Sequence, residues 1–438
     1  EKKSIQKTKK NMNNTTLLQN VKLFDPSSDL HNQTVEILVK NGLIESVGEG
    51  LGMAAAEVIN CGGAYVSVGW LDAFGFCPDP GEPWKESLQS YTEAAQMGGF
   101  TQVAALCGTS PKSDNESVIS QVKQVGSLLR AEILPLGHSS VAGEAKEMAE
   151  VFEMHRAGAV AFTDGIHHSA SLGLRTKLMQ YCASLGLKYL HYPFQKQLAP
   201  DGKIHEGLVN ATLGFKGIPS VSETVELLAD IELAKYLKCP LHVLCVSSAE
   251  GVDLIRAAKK DGVDIHASVP VLNLLYTDEW LTGFDENLKV LPPLRSNIDR
   301  KALLLGLLDG TLDAVVSNHH PEDIESKKVE FDYAAWGAAT ISQVFHLMCK
   351  AFENELPENW VPLLYRGSRN FLGIHPRSVA AGEPAALTFF ELGGEYRFEK
   401  TNRRSRAYNV PLTEDVLKGR VVATMRNGCY MINHDGSN

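Results

Sequence analysis

The chain has 438 residues, too many for one small core and enough for a large barrel with a small accessory domain. Hydrophobic residues make up 44% and charged residues 21%, an ordinary globular composition. The formal net charge of -10 leaves no basic stripe to neutralise phosphates, which argues against nucleic-acid binding.

Residues 1–15 read as a disordered, lysine-rich extension with no apolar centre of a secretion signal, and Met12 inside it is a candidate native start. No apolar run reaches the roughly 18 residues of a membrane span. Eight cysteines, with no CxxC pair, are expected to be reduced and mostly buried in a cytoplasmic protein.

Residues 16–68 read as short strands, such as Thr34 to Val39 and Leu43 to Val47, with a hairpin turn at Asn41-Gly42. From 69 to 375 short apolar runs alternate with longer amphipathic stretches. Thr101 to Leu106 precedes a helical pattern over Glu116 to Arg130, and Ala159 to Phe162 precedes Leu172 to Leu185. Pro240 to Leu244 precedes Ala249 to Lys260, and Ala314 to Val316 precedes a loop and a helical pattern over Ala334 to Phe352. Strand, loop and helix repeated at this size predict a (β/α)8 TIM barrel. Strands return over 376–438, as in Ala386 to Phe390 and Gly419 to Thr424, and are expected to pair with 16–68 into one β-sandwich.

Functional side chains in such a barrel stand at the C-terminal strand ends. The segments there are Asp72-Ala73-Phe74-Gly75-Phe76-Cys77-Pro78, Cys107-Gly108-Thr109, Thr163-Asp164-Gly165, Leu190-His191-Tyr192, Val243-Leu244-Cys245, Leu291-Pro292-Pro293-Leu294-Arg295 and Ser317-Asn318-His319-His320. Gly98-Gly99-Phe100-Thr101, Ala159 to Asp164, Pro292-Pro293-Leu294-Arg295 and Leu308 to Ala314, with Gly207, Gly217-Ile218-Pro219 and Gly382 to Phe390, fall in an order that resembles the dihydroorotases of the amidohydrolase superfamily. The similarity runs over about residues 16 to 430.

The resemblance implies a TIM barrel with a small β-sandwich and a zinc-dependent, reversible closure of N-carbamoyl-aspartate to dihydroorotate. Zinc needs imidazole and carboxylate ligands with one open position. The family's Asp-x-His-x-His pattern places its two histidines at Phe74 and Phe76, side chains without a lone pair. Strand alternation should point both to one side, where they pack in place of a metal. The family's next ligands fall on Asp164, His191 and Cys245, of which a cysteine thiolate can still bind zinc. The general-base aspartate falls on Asn318, whose amide cannot take a proton. The arginine that grips the substrate carboxylate falls on Pro78, and two pocket asparagines on Gly108 and Leu291.

These losses imply a non-catalytic homologue with no metal and no catalytic or substrate-binding residue of the family type. A structural or regulatory role in a pyrimidine-synthesis complex follows, with aspartate transcarbamoylase as partner and self-association expected. The alternative is an active metal-dependent cyclic amidohydrolase using Asp164, His191 and Cys245, with zinc as cofactor. Of the remaining polar groups, His167-His168 and His319-His320 read as solvated loop histidines, with Glu322 beside the latter. His242 reads as a buried, hydrogen-bonded histidine, Arg295 as a clamp on loop carbonyls, and Asp72 as loop support.

Overall fold

A computed structural model describes residues 15–52, 57–166, 170–397, 403–411 and 416–433. The expected extension lies outside these residues except for Thr15, which already opens the strand Thr15–Leu23.

Eight short strands build the barrel: Trp70–Cys77, Phe100–Cys107, Glu132–Gly137, Ala161–Phe162, Leu190–His191, Leu241–Val243, Ile265–Pro270 and Ala314–Val316. They form two four-stranded parallel sheets. Parallel bridges at Phe162–Tyr189 and Gly75–His319 join the two sheets into a ring. Strands covered on both faces can be apolar throughout, and Phe100–Cys107 is buried along its whole length. Small and branched side chains such as Leu71, Ala73, Ala104, Ala161, Ala314 and Val316 belong to the apolar cluster inside the ring.

The helices begin where a polar side chain can cap them. Asn115 accepts from the Val118 amide at the start of Glu116–Gly126, and Ser248 accepts from Gly251 at the start of Ala249–Lys260. The helix expected over Ala334 to Phe352 is shorter, covering only Val344–Ala351. Its first half is irregular, with the Ala335 and Gly337 carbonyls accepting from Lys327 and Ala338 bridging to His319. Gly337, at φ 120°, sits in a conformation that suits a residue without Cβ.

The two terminal regions come together as expected, in one continuous hydrogen-bonded sheet of eight strands. Tyr65–Val68 pairs antiparallel with the start of Leu387–Arg397, which joins the C-terminal strands to the N-terminal ones. Asn41 and Gly42, both at positive φ, close the hairpin between Thr34–Lys40 and Leu43–Gly48. Trp70, fully buried, links sheet to barrel, its ring 4.9 Å from Phe345 and 5.4 Å from Phe390. All eight cysteines are free, and only Cys429 is exposed. No helix among the described residues is long and apolar enough to cross a membrane.

His242 is buried as expected, and the Phe371 backbone is the hydrogen-bonding group beside it. The His242 ring stacks on His266 at 5.0 Å. Burial, with His266 and Lys188 nearby, pushes its pKa down from 6.5 to about 3. Above pH 6.5 folded and unfolded chains both carry it neutral. Below that, the unfolded chain takes a proton that the folded one refuses, so stability is lost as pH falls from 6.5 toward 3. The slope is roughly 1.4 kcal/mol per pH unit. In urea titrations, His242→Phe should therefore gain roughly 2 kcal/mol on the parent between pH 7.5 and pH 5. Asp72 and His205 titrate in both proteins and cancel in that difference. A pH-independent difference would show that His242 protonates freely in the fold.

Candidate functional site at the barrel mouth

Phe74 and Phe76 stand at the end of the first barrel strand and line one cavity of about 280 Å³. Leu106 and Gly108 from the second strand end, His138 from the third, and Asp164 and Gly165 from the fourth complete one side. His320, Pro321 and Glu322, after the eighth strand, close the other. Phe74 is 3% exposed and belongs to the same apolar cluster as Leu190, Cys245 and Leu291. Phe76 stacks on His320, with ring centroids 4.8 Å apart and planes 15° from parallel.

The three remaining ligand candidates are each tied into a separate arrangement. Asp164 accepts from the Ser140 amide at 3.0 Å and the Ser140 hydroxyl at 2.9 Å, and lies 3.6 Å from His138 Nδ1. Burial disfavours its charge, but His138, Ser139 and Ser140 outweigh that and hold the carboxyl below its ordinary pKa. His191 Nδ1 lies 2.6 Å from Asp230, which also takes Arg175 at 2.6 Å. Such a carboxylate is how a metal-ligating histidine is usually oriented. Cys245 is fully buried, and burial pushes its thiol well above the ordinary value, with Asp72 and Glu223 adding to the shift. Zinc would have to displace its proton on binding.

Among the described residues, no three His, Cys, Asp or Glu side chains come together as a potential metal site. Zinc therefore does not fit this donor set. Two positions hold phenyl rings, and Asp164 is satisfied by amide and hydroxyl donors.

The residues expected at the proton-transfer and substrate positions make structural contacts. The Asn318 amide donates to the Leu291 carbonyl at 2.8 Å, so two of the positions are bonded to each other. Pro78 offers only its carbonyl, which accepts from the Glu82 amide at 2.9 Å. Gly108 has φ 89°, and a Cβ there would stand 2.5 Å from the Pro111 carbonyl oxygen. An asparagine cannot stand at 108 unless the loop backbone moves.

Behind Phe76 lies a buried polar layer. Asp72 accepts from the amide and hydroxyl of Ser317, tying the first strand end to the last, in keeping with a supporting role. Burial raises its pKa to about 7, against the pull of those bonds. His319 is 1% exposed and stands 3.6 Å from Glu86, while His320 lies on Phe76. This overturns the reading of the pair as solvated, because the Gly75–His319 bridge draws them into the barrel wall. Arg295 clamps side chains rather than carbonyls, donating to Ser247 at 2.8 Å and meeting His205 Nδ1 at 3.2 Å. His167 and His168 lie outside the described residues.

Lys85, Lys112, Glu82 and His138 were not singled out in the sequence, yet all four line the cavity. Their only sequence signal is position within the loops that follow barrel strands.

Residues 73–251 match the family model described as Dihydro-orotase-like. The chain is 34% identical over 423 residues to the dihydroorotase of Ruminiclostridium cellulolyticum, covering 95% of this chain and 98% of that one. It is 32% identical over 424 residues to the dihydroorotase of Syntrophus aciditrophicus, covering 96% and 99%. Among solved structures, L-hydantoinase from Arthrobacter aurescens superposes with a TM-score of 0.82 at 22% identity, covering 95% of each chain. At that identity the likeness speaks for the fold alone.

Proposed function

Because the chain belongs to the dihydroorotase family of the amidohydrolase superfamily, we propose that it is a non-catalytic member with a structural or regulatory role in pyrimidine synthesis. One observation carries the reading: phenyl rings stand at both histidine positions, and they line the cavity where substrate and metal would meet. The bond from Asn318 to Leu291 supports it, since the general-base position is spent on a neutral carbonyl. So does Gly108, where the loop leaves no room for a substrate-binding side chain.

The test is hydrolysis of dihydroorotate and closure of N-carbamoyl-aspartate by the purified protein, chelated and zinc-supplemented. No rate above the zinc-containing buffer is expected. Loss of a general base alone removes about 10²–10⁴ in rate, and here metal ligation and substrate grip are lost with it. Turnover of about 1–1000 per second, abolished by chelator, overturns the proposal. Aspartate transcarbamoylase is the proposed partner, drawn from the resemblance. Co-elution of the two purified proteins in gel filtration supports it, and separate elution removes it.

One observation favours an active, metal-dependent reading. His191 is still oriented by Asp230, the arrangement of a ligating imidazole. Stoichiometric zinc in the purified protein, lost in His191→Ala, would decide for that reading.

A further inference from the structure

A second surface lies at the C-terminal end of the barrel, outside the cavity. It is built on the connection between the seventh and eighth strands, where the 3-10 turn Asp278–Gly283 leads into Phe284. Trp280 is 51% exposed and Phe284 47%. Single exposed apolar residues are ordinary, but a group of large rings marks a contact surface. The Phe284 ring lies 6.0 Å from Phe215, which lies 5.2 Å from Phe331, and two residues on stands the exposed Tyr333. The helix Leu208–Leu213 packs on the same turn and begins with the exposed Leu208.

Phe284 is the least expected of these residues. Its backbone is left-handed, at φ 56° and ψ 30°, where a bulky side chain is strained and glycine or asparagine is at ease. Neither backbone conformation nor full burial favours phenylalanine at this position, which leaves the exposed ring itself as the reason for it.

Negative charge accompanies the rings. The stretch 277–288 contains Asp278, Glu279, Asp285 and Glu286 and no lysine or arginine, a formal charge of -4. The connections beside it are balanced, Asp201 and Glu206 against Lys203 and Lys216, and Glu330 and Asp332 against Lys327 and Lys328. Lys289, beneath, is buried and donates to the Phe331 and Asp332 carbonyls, and its single positive charge leaves the surface at -3. Glu279 and Asp285 are exposed, and each adjoins one of the rings in sequence. Such a surface repels nucleic acid and anionic lipid, and a second copy of this chain, at -10, is repelled in the same way. A cationic side chain is attracted twice, by the carboxylates and by the ring faces.

We propose that this surface docks a basic segment of a partner protein, in which lysine or arginine residues are interleaved with apolar ones. The cations lie on the Trp280, Phe284 and Tyr333 rings with Glu279, Asp285 and Glu286 as countercharges, and the apolar side chains cover Leu208. The proposal stands whether or not the cavity is catalytic.

The probe is a fluorescein-labelled peptide of three Lys-Leu-Lys-Ser repeats, titrated by anisotropy with the full chain at physiological salt. It should bind saturably, and the same peptide with glutamate for lysine, or serine for leucine, at least about tenfold more weakly. Trp280→Ser with Phe284→Asn, which keeps a residue at ease in the left-handed turn, should weaken binding about tenfold, as should Glu279→Lys with Glu286→Lys. Glu49→Lys with Glu57→Lys, on the terminal sheet, changes the net charge equally and should leave binding unchanged. Hydrogen exchange on the parent should slow over 277–288 when peptide is added, which locates the site without any variant. No binding, equal loss in the terminal-sheet variant, or slowed exchange only elsewhere overturns the inference. Self-association of the parent that is abolished by Trp280→Ser with Phe284→Asn would assign the surface to a second copy and overturn it as well.

Discussion

Asp230→Ala should lower the free energy of unfolding by about 3–5 kcal/mol, the usual cost of removing one partner from a buried ion pair. Asp230 is fully buried on the helix Val221–Leu237 and holds two groups at once, Arg175 and His191, each at 2.6 Å. Arg175 is 2% exposed and also meets Glu226 at 2.5 Å. Without Asp230 the guanidinium keeps one carboxylate, and its Nε already lacks a hydrogen-bond partner. Urea denaturation of Asp230→Ala, Arg175→Met and the double variant measures the coupling. The double variant should cost less than the two single changes added together, because the Arg175–Asp230 pair is then lost once and not counted twice, although Glu226 still loses Arg175 and His191 still loses Asp230. A loss below about 1 kcal/mol for Asp230→Ala, typical of an exposed pair, would mean that the network is solvated and weak.

That network also explains how the fifth strand end keeps a ligand-like geometry. Arg175 lies on the helix Leu172–Ser184, and Asp230 and Glu226 on the next long helix. Their ion pairs join the two helices over the histidine that the strand presents. His191 is therefore held by a structural device that does not depend on a metal.

The barrel was legible because its strands are local apolar runs and its helices carry capping residues at their starts. The two phenyl rings were legible for the same reason. A strand's period of two sends Phe74 and Phe76 to one side, and the structure places both on one cavity. The irregular segment before Val344 was hidden, because the Lys327 ammonium and the bridge from His319 hold it in place of helical bonds. Pairing across distant segments also hid the partners of the site. Asp230 lies 39 residues beyond His191, and Glu86 faces His319 across the barrel closure. Nothing in a window around either histidine announces those carboxylates.

Phe74→His with Phe76→His should convert the mouth into a zinc site. Both positions line the same cavity as Asp164, so two introduced imidazoles and one ionised carboxylate would meet the minimum of three protein ligands. Without metal the double variant should be weaker than the parent by about 3 kcal/mol, since a well-packed ring is lost and a polar group is buried in its place. Zinc at a thousandfold above its dissociation constant should restore about 4 kcal/mol. Metal analysis and melting with and without zinc measure both effects, with the parent expected to show no zinc-dependent shift. Hydrolysis of dihydroorotate should remain undetected even in the zinc-loaded variant, because Pro78, Gly108 and Leu291 still offer no grip on the substrate. Its base position is still filled by an amide bonded to the Leu291 carbonyl. A double variant that fails to take up zinc would show that Ser140 and His138 hold Asp164 too firmly for it to turn toward a metal. Efficient hydrolysis would show instead that the two rings alone stand between this chain and the family reaction.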